Sequence, residues 1–387
     1  MTIYLDHNAT TPLRPEVREL LGELAEEQLG NPSSLHASGR RARHRIDEAR
    51  ARTAHALGVG EDEILFTSGG TESNNLALAG VLGAAGAPAG LVTTAVEHSA
   101  VLAPARALEA RGHRLRVVPV DAAGRVDAAE VARAAEDVEA ALVSVQAANN
   151  EIGVLQPLPE IAAALGKTRV RPLLHADAVQ ALGRTPLELR ASGVDLASFS
   201  AHKVGGPLGV GVLYRRGGVA LTPLLFGGEH EAGVRPGTEN AAGIAAAALA
   251  IELAVRECDN YIATVGTRTR SLWQELASRL PALRLLGPPI DASDRLSNTL
   301  AIAAATSQQH DGKVLVTRLD LEGLQVSAGS ACASGSVEPS HVLLALGLDD
   351  NEARAGIRLS LGRTTSNDEC KRAVDILVKV LSASRAT

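Results

Sequence analysis

Lys203 stands in SFSAHKVGGPLGVG, residues 198–211, between the apolar segment 194–199 and a run of glycines. Lysine is almost never fully buried without a partner. Two uses are open to it. The stem packs while the ammonium reaches water, or the amine is held in a pocket as a nucleophile that forms a Schiff base with a carbonyl compound. On this stretch alone the first is favoured, and other polar groups at segment ends shift the balance. FTSGGTESNN (66–75) places Gly-Gly before a helix opening on Thr71, Glu72 and Ser73. That pattern is an ordinary capped helix, or a phosphate cradle built on the free N–H groups of a helix start. In HADAVQALG (175–183), Asp177 falls where a strand should end and a helix begin, with Gln180 on the same helix face. It either caps that helix or holds a ring nitrogen protonated, as the pyridinium of pyridoxal phosphate requires. AVEHSAV (95–101) leaves His98 past a strand, where it can stack on a planar cofactor and move protons. ANNEIGV (148–154) puts Asn149 and Asn150 at another strand end, where buried amides need partners and a cofactor hydroxyl or substrate would serve. Amine, ring-nitrogen carboxylate, stacking histidine and phosphate cradle are each weak signals, but they are the parts of one pyridoxal phosphate site.

Two further groups stand apart. Cys332 lies in VSAGSACASGSVEPS (326–340), a Ser/Gly/Ala stretch that builds little core and reads as a loop carrying a candidate nucleophile. Cys258 and Cys370 lie in helical patterns with charged neighbours and receive no chemical role. IRLSLGRTT (357–365) offers Arg358 on a strand, a fork that matches a substrate carboxylate. Arg363 just after it reads as a surface salt bridge.

The elements that must position these groups follow from periodicity. Strands are expected at 63–68, 90–95, 114–120, 141–146, 172–177, 195–200 and 210–215, separated by alanine-rich helices such as 71–86, 99–111 and 127–138. A helix ending at Gly58 precedes them, and 241–251 reads as a packed core helix. That alternation predicts an α/β domain with a mostly parallel sheet covered on both faces, ligands binding beyond the strands' C-terminal ends. After about residue 255 the pattern changes. Long helices at 260–280 and 366–384 flank strands at 298–303 and 357–362, which predicts a smaller α+β domain, and 285–294 reads as loop.

Composition narrows the function. At 387 residues two domains are expected, and 45% hydrophobic residues supply their cores. A net charge of −6 without charged blocks argues against a polyanion-binding surface, and 2% aromatics leaves few stacking platforms for single-stranded nucleic acid. Three cysteines without a CxxC pair make neither a disulfide framework nor a zinc site. The first residues lack a basic segment followed by an apolar one, so no signal peptide or membrane span is expected, and the reading is a cytoplasmic protein.

YLDHNATTP, GNPSSLHASGR, ILFTSGGTESNNLAL, EHSAV, NNEIGVLQP, HADAVQALG, SFSAHKVGGPLGVG, GGEHEAGVRPGTEN, SAGSACASGSVEPSHVLLALGL and IRLSLGR follow one another along nearly the whole chain. In order and spacing the sequence resembles the cysteine desulfurases, pyridoxal phosphate enzymes of the class V aminotransferase superfamily. It resembles the branch with a long catalytic loop, which serves iron–sulfur cluster assembly and tRNA thiolation. The resemblance implies a fold-type I transferase: a large α/β domain (15–256) on a mostly parallel seven-stranded sheet, and a small α+β domain (257–387 with 1–14) carrying the cysteine loop. It implies that Lys203 holds the cofactor's aldehyde and later acts as the base, with His98 stacking on the ring and carrying protons. Asp177 would pair with the ring nitrogen, while Gln180 and Asn150 contact the phenolic side. Gly70, Thr71, Ser200 and His202 would bind phosphate, with Thr238 reaching in from the second subunit of a homodimer. Arg358, with Asn150 beside it, would bind the carboxylate of L-cysteine. Cys332 would take the sulfur as a persulfide and pass it to an acceptor such as an iron–sulfur scaffold. No resident metal is implied, only Cys332 as a transient iron–sulfur ligand, and no direct contact with nucleic acid. Two positions depart from the family pattern: Gly205, where many relatives carry an aromatic residue or histidine, and Leu208, where they carry lysine. Another enzyme of the superfamily, an aminotransferase or selenocysteine lyase, and a non-catalytic sulfur-assembly component are the competing readings. An aminotransferase would have no need of Cys332.

Overall fold

The computed structural model describes residues 2–86, 88–304, 312–328 and 339–383. Seven strands form the larger sheet in the spatial order Ile64–Thr67, Gly211–Arg215, Leu196–Ser200, Leu173–Asp177, Ala140–Ser144, Gly90–Thr94, Arg114–Val118. The last five are mutually parallel, and Gly211–Arg215 runs antiparallel to both its neighbours. The interior strands are short, apolar and buried on both faces, as in Leu196–Ser200, because helices cover the sheet on each side. Only the edge strand Arg114–Val118 turns side chains to water, and its Arg114 and Arg116 blunt that edge.

Helices Ala37–Leu57 and Ala241–Arg256 pack against each other on one face. The first stops at Gly58, whose φ of 67° suits a residue without a side chain. The second is alanine-rich, with Ala246, Ala247 and Ala250 all fully buried. A four-stranded antiparallel sheet follows in the order Ser327–Ala328, Ile357–Ser360, Thr299–Ala304, Leu283–Leu286, with helices Cys258–Arg279 and Asn367–Ala383 over its own core. The N-terminal strand Ile3–Tyr4 pairs with Leu324–Gln325, and Asp6 bridges to Ser360, so the first residues join this second sheet.

Two local expectations fail. Leu285 and Leu286 belong to the strand Leu283–Leu286, paired with Ile302 and Ala301, so the loop begins only at Gly287. No helix begins after Asp177 either. Residues 179–184 form successive turns, with Ala181 N–H and Arg184 N–H closing on the carbonyls of Ala178 and Ala181. Gly183 at φ 66° presses on Ala254, and Pro186 follows, so a regular helix cannot propagate. Among the described residues no helix is long and apolar enough to cross a membrane.

Candidate active site

The chain order of the parallel strands reverses between Gly90–Thr94 and Ala140–Ser144, which leaves a crevice beyond their C-terminal ends. A cleft of about 380 Å³ opens there. It is lined by residues that follow four of the parallel strands or end them, among them His98, Asn150, Asp177 and Ser200. The start of helix Gly70–Ala84 and Arg358 from the second sheet close it.

Lys203 enters from the single turn Ala201–Val204 that follows the strand Leu196–Ser200. Its Nζ donates to the main-chain carbonyls of Asn8 at 2.7 Å and Ala9 at 2.8 Å. Gly205 ends the turn at φ 83°, and a Cβ there would stand 2.7 Å from Arg14 Cγ. Arg14 uses that space: it donates to the Val204 carbonyl at 3.0 Å and pairs with Glu257 at 2.7 Å. The departure at Gly205 therefore has a compensating partner. Leu208, the other departure, is largely exposed.

Asp177 is buried at the end of its strand. Asn74 Nδ2 donates to one carboxylate oxygen at 2.7 Å and Val179 N–H to the other at 3.1 Å, so the group is fixed in place. His98 caps helix Ser99–Glu109, its Nδ1 accepting from Ala100 N–H at 3.0 Å, which puts the ring proton on Nε2. Helix Gly70–Ala84 begins without a side-chain cap at Gly69, and a Cβ on Gly70 would lie 2.6 Å from Val179 Cγ2. Small residues thus keep an uncapped helix start open to the cleft, the arrangement that accepts a phosphate. His202 shares a hydrogen bond with Thr10 at 3.1 Å. Burial, then the charges of Lys203 and Arg184, push it down to about 4, so it is neutral at physiological pH. Arg358 is fully buried, with Nη2 on Asp6 at 2.6 Å and Nη1 on the Asn150 carbonyl at 3.0 Å. Its Nε is buried with no hydrogen-bond partner among the described residues.

Lys203, His98, Asp177, Gln180, Asn150, Gly70, Thr71, Ser200, His202 and Arg358 all line this one cleft. Three expected positions behave otherwise. Thr238 is exposed and does not line it. Cys332 lies outside the described residues. Asn149 is consumed by the fold: its amide donates to the Val96 carbonyl, and its carbonyl accepts from the N–H groups of Glu151 and Ile152, all within 2.9 Å. Arg363 is exposed and makes no ion pair among the described residues, since no carboxylate comes within reach. Sequence reasoning passed over Asn8, Asn74, Glu97 and Arg184. Asn74 carries a signal: one helical turn beyond Gly70, it must share that residue's face. Glu97, beside His98, is buried, and burial pushes its carboxyl up to about 8, with the nearby Asp177 charge adding to the rise.

The sequence and the fold have counterparts. A family profile described as Aminotransferase class-V matches residues 3–373. The chain belongs to the class-V aminotransferase family. Curated relatives similar to it over nearly the whole chain are named cysteine desulfurases. "Cysteine desulfurase IscS" of Dictyoglomus turgidum is 42% identical over 99% of this chain and 95% of that protein. The protein of the same name from Methanosarcina thermophila is 38% identical over 99% and 93%. Among solved structures, a "NifS-like protein" superposes with a TM-score of 0.91 at 35% identity, covering 99% of this chain and all of that one. "SspA in complex with cysteine" superposes at 0.79 with 29% identity over 93% and 99%. In this member of the class-V aminotransferase family the cleft at the reversal point is thus the place to look for chemistry.

Proposed function

We propose that this chain is a cysteine desulfurase that binds pyridoxal 5′-phosphate in the cleft, converts L-cysteine to L-alanine and delivers the sulfur to Cys332 for iron–sulfur cluster assembly. One observation carries the reading: an amine (Lys203), a fixed carboxylate (Asp177), a histidine (His98) and an uncapped helix start (Gly70) converge on a single cleft. The cradle at Gly70, which a Cβ would fill, and the spare Nε of Arg358 fit a phosphorylated cofactor and a carboxylate substrate respectively.

When bound, the cofactor supplies an aldehyde for the substrate amine and a protonated ring that accepts the electron pair left at Cα. Asp177, held by Asn74 and Val179, keeps the ring nitrogen protonated. The N–H groups at Gly70 and Thr71, with Ser200 and His202, would hold the phosphate, and Gln180 and Asn150 would contact the phenolic side. Arg358 orients the substrate carboxylate. Lys203 Nζ takes the Cα proton, and His98 Nε2 passes protons at the cleft. The Cys332 thiolate attacks the substrate sulfur: the C–S bond breaks, an S–S bond forms, and the carbon left behind is protonated to alanine. The sum is cysteine plus thiol giving alanine plus persulfide, which needs no outside oxidant.

The organisation proposed is a large domain of residues 15–256 and a small one of 257–387 with 1–14. The break between helices Ala241–Arg256 and Cys258–Arg279 supports it. We also propose a homodimer in which Thr238 reaches the phosphate in the other copy's cleft. Its exposure away from its own cleft supports this, as do the exposed Leu225 and Phe226. A cytoplasmic location and a protein acceptor for the sulfur complete the reading.

The test is turnover. Incubated with L-cysteine and pyridoxal phosphate, the purified chain should form alanine in step with sulfide released by a reductant. Mass spectrometry should find one added sulfur on the Cys332 peptide and none at Cys258 or Cys370. Alanine formed at an unchanged rate by Cys332→Ala would overturn the desulfurase mechanism.

A further inference from the structure

Arg184 is a buried guanidinium, 4% exposed, behind Asn8 and Gln180, two residues that line the cleft. Its partners are all neutral. Nη1 donates to Asn8 Oδ1 at 2.8 Å and to Gln180 Oε1; Nη2 donates to the carbonyls of His7 and Lys203, each at 3.0 Å. No carboxylate pairs with it among the described residues. A charge buried without a counter-ion is costly, and four acceptors from three separate stretches offset that cost here.

The guanidinium also settles a question of orientation. An arginine has donors and no acceptor, so the Gln180 oxygen must be the end that faces it. The Gln180 nitrogen is correspondingly the end beside the cleft, where one of its hydrogens goes to the Asn8 carbonyl at 2.9 Å. Lys203 Nζ donates to that same carbonyl. We propose that Arg184 is a positioning residue that locks Gln180 with its N–H toward the cleft, so that the cleft offers a donor to an anionic cofactor oxygen, and that ties the Lys203 main chain to the 7–8 segment. Its positive field reaches the cleft as well. After burial and Lys203, the Arg184 charge helps push His202, which lines the cleft, down to about 4, so that imidazole is neutral at physiological pH.

This inference rests on the pyridoxal phosphate reading of the cleft, and the experiment separates the two. Apo protein is titrated with pyridoxal phosphate, following absorbance of the bound cofactor, for the unaltered chain, Arg184→Met, Arg184→Lys and Gln180→Glu. Arg184→Met should weaken binding roughly 10- to 100-fold, the range for losing charge-assisted hydrogen bonds, and shift the absorbance band. Arg184→Lys keeps the charge and should recover part of both. Gln180→Glu gains an ion pair with Arg184 but loses both the cleft donor and the bond to the Asn8 carbonyl; it should keep the native circular dichroism spectrum while binding at least about 10-fold more weakly. Should Arg184→Met not fold, Arg184→Lys and Gln180→Glu still decide. If the unaltered chain binds and Gln180→Glu and the Arg184 variants match it within twofold with the same band, the role of Arg184 is refuted. If the unaltered chain does not bind pyridoxal phosphate, the cofactor reading falls, and this inference with it.

Discussion

Glu97→Gln is expected to change how stability depends on pH while leaving the fold intact. Glu97 Oε1 accepts from the Thr94 hydroxyl at 2.7 Å and from Gln146 N–H at 2.9 Å, whereas Oε2 is buried without a partner. Burial outweighs those two donors and lifts the carboxyl from 4.5 to about 8. Between those values the native chain keeps a proton that the unfolded chain has released. The contribution of Glu97 is therefore fully present below pH 4.5 and is lost as pH rises through about 8. At about 1.4 kcal/mol for each pH unit between the two values, the whole window is worth up to roughly 5 kcal/mol. Glutamine keeps the accepting oxygen and places its nitrogen where Oε2 lacked a partner, without a titration. Urea unfolding followed by circular dichroism from pH 5 to 8.5 should show the variant gaining on the parent by on the order of 1 kcal/mol per pH unit, then levelling. Glu151, lifted to about 7, and His175, pushed down to about 3, titrate in both proteins and cancel in the difference. A difference that stays flat from pH 5 to 8 would refute a carboxyl held neutral by burial.

Three other outcomes can be checked. Borohydride treatment of the protein loaded with pyridoxal phosphate should fix the cofactor on the Lys203 peptide, and Lys203→Ala should lose both the adduct and turnover; an adduct on another lysine would displace the site. Gly70→Ala, whose methyl would meet Val179 Cγ2 at 2.6 Å, should keep the fold but weaken cofactor binding by about 10-fold, read by equilibrium titration. Cys258 and Cys370 are buried with their thiols pushed up to about 11, so both should resist alkylation at pH 7.5, and a Cys258→Ser, Cys370→Ser double variant should form persulfide at the parent rate.

The alternating pattern made the larger sheet legible because each interior strand is a short apolar run bounded by polar or glycine residues. The strand expected at 195–200, for instance, is Leu196–Ser200 in the structure. The error after Asp177 came from reading ADAVQAL by spacing alone. Its apolar residues recur at helical intervals, yet Gly183 and Pro186 six and nine positions on were the stronger signals. Asn149 failed for another reason: a buried amide needs partners, but the sequence does not say whether backbone or ligand supplies them, and here the Val96 carbonyl and two N–H groups do.

What the sequence could not give is how the two sheets are joined at the cleft. That junction is Asn8, fully buried within the YLDHNATTP segment. Its N–H donates to Ser360 Oγ, and its side-chain nitrogen to Thr299 Oγ1 and the Asn150 carbonyl. Its side-chain oxygen accepts from Asn298 and Arg184, and its main-chain oxygen from Gln180 and Lys203. Each partner is far away in sequence, so no local period predicts the set; only packing brings residues 8, 150, 184, 203, 298 and 360 together. Because Asn8 is saturated, a shift of the second sheet against the first breaks bonds to buried groups, which is expensive. Arg358 belongs to that second sheet, and Lys203 and Gln180 to the turns that follow two strands of the first. The same asparagine that fixes the sheets therefore also fixes the distance between the group we assign to the substrate carboxylate and the amine that would take its proton.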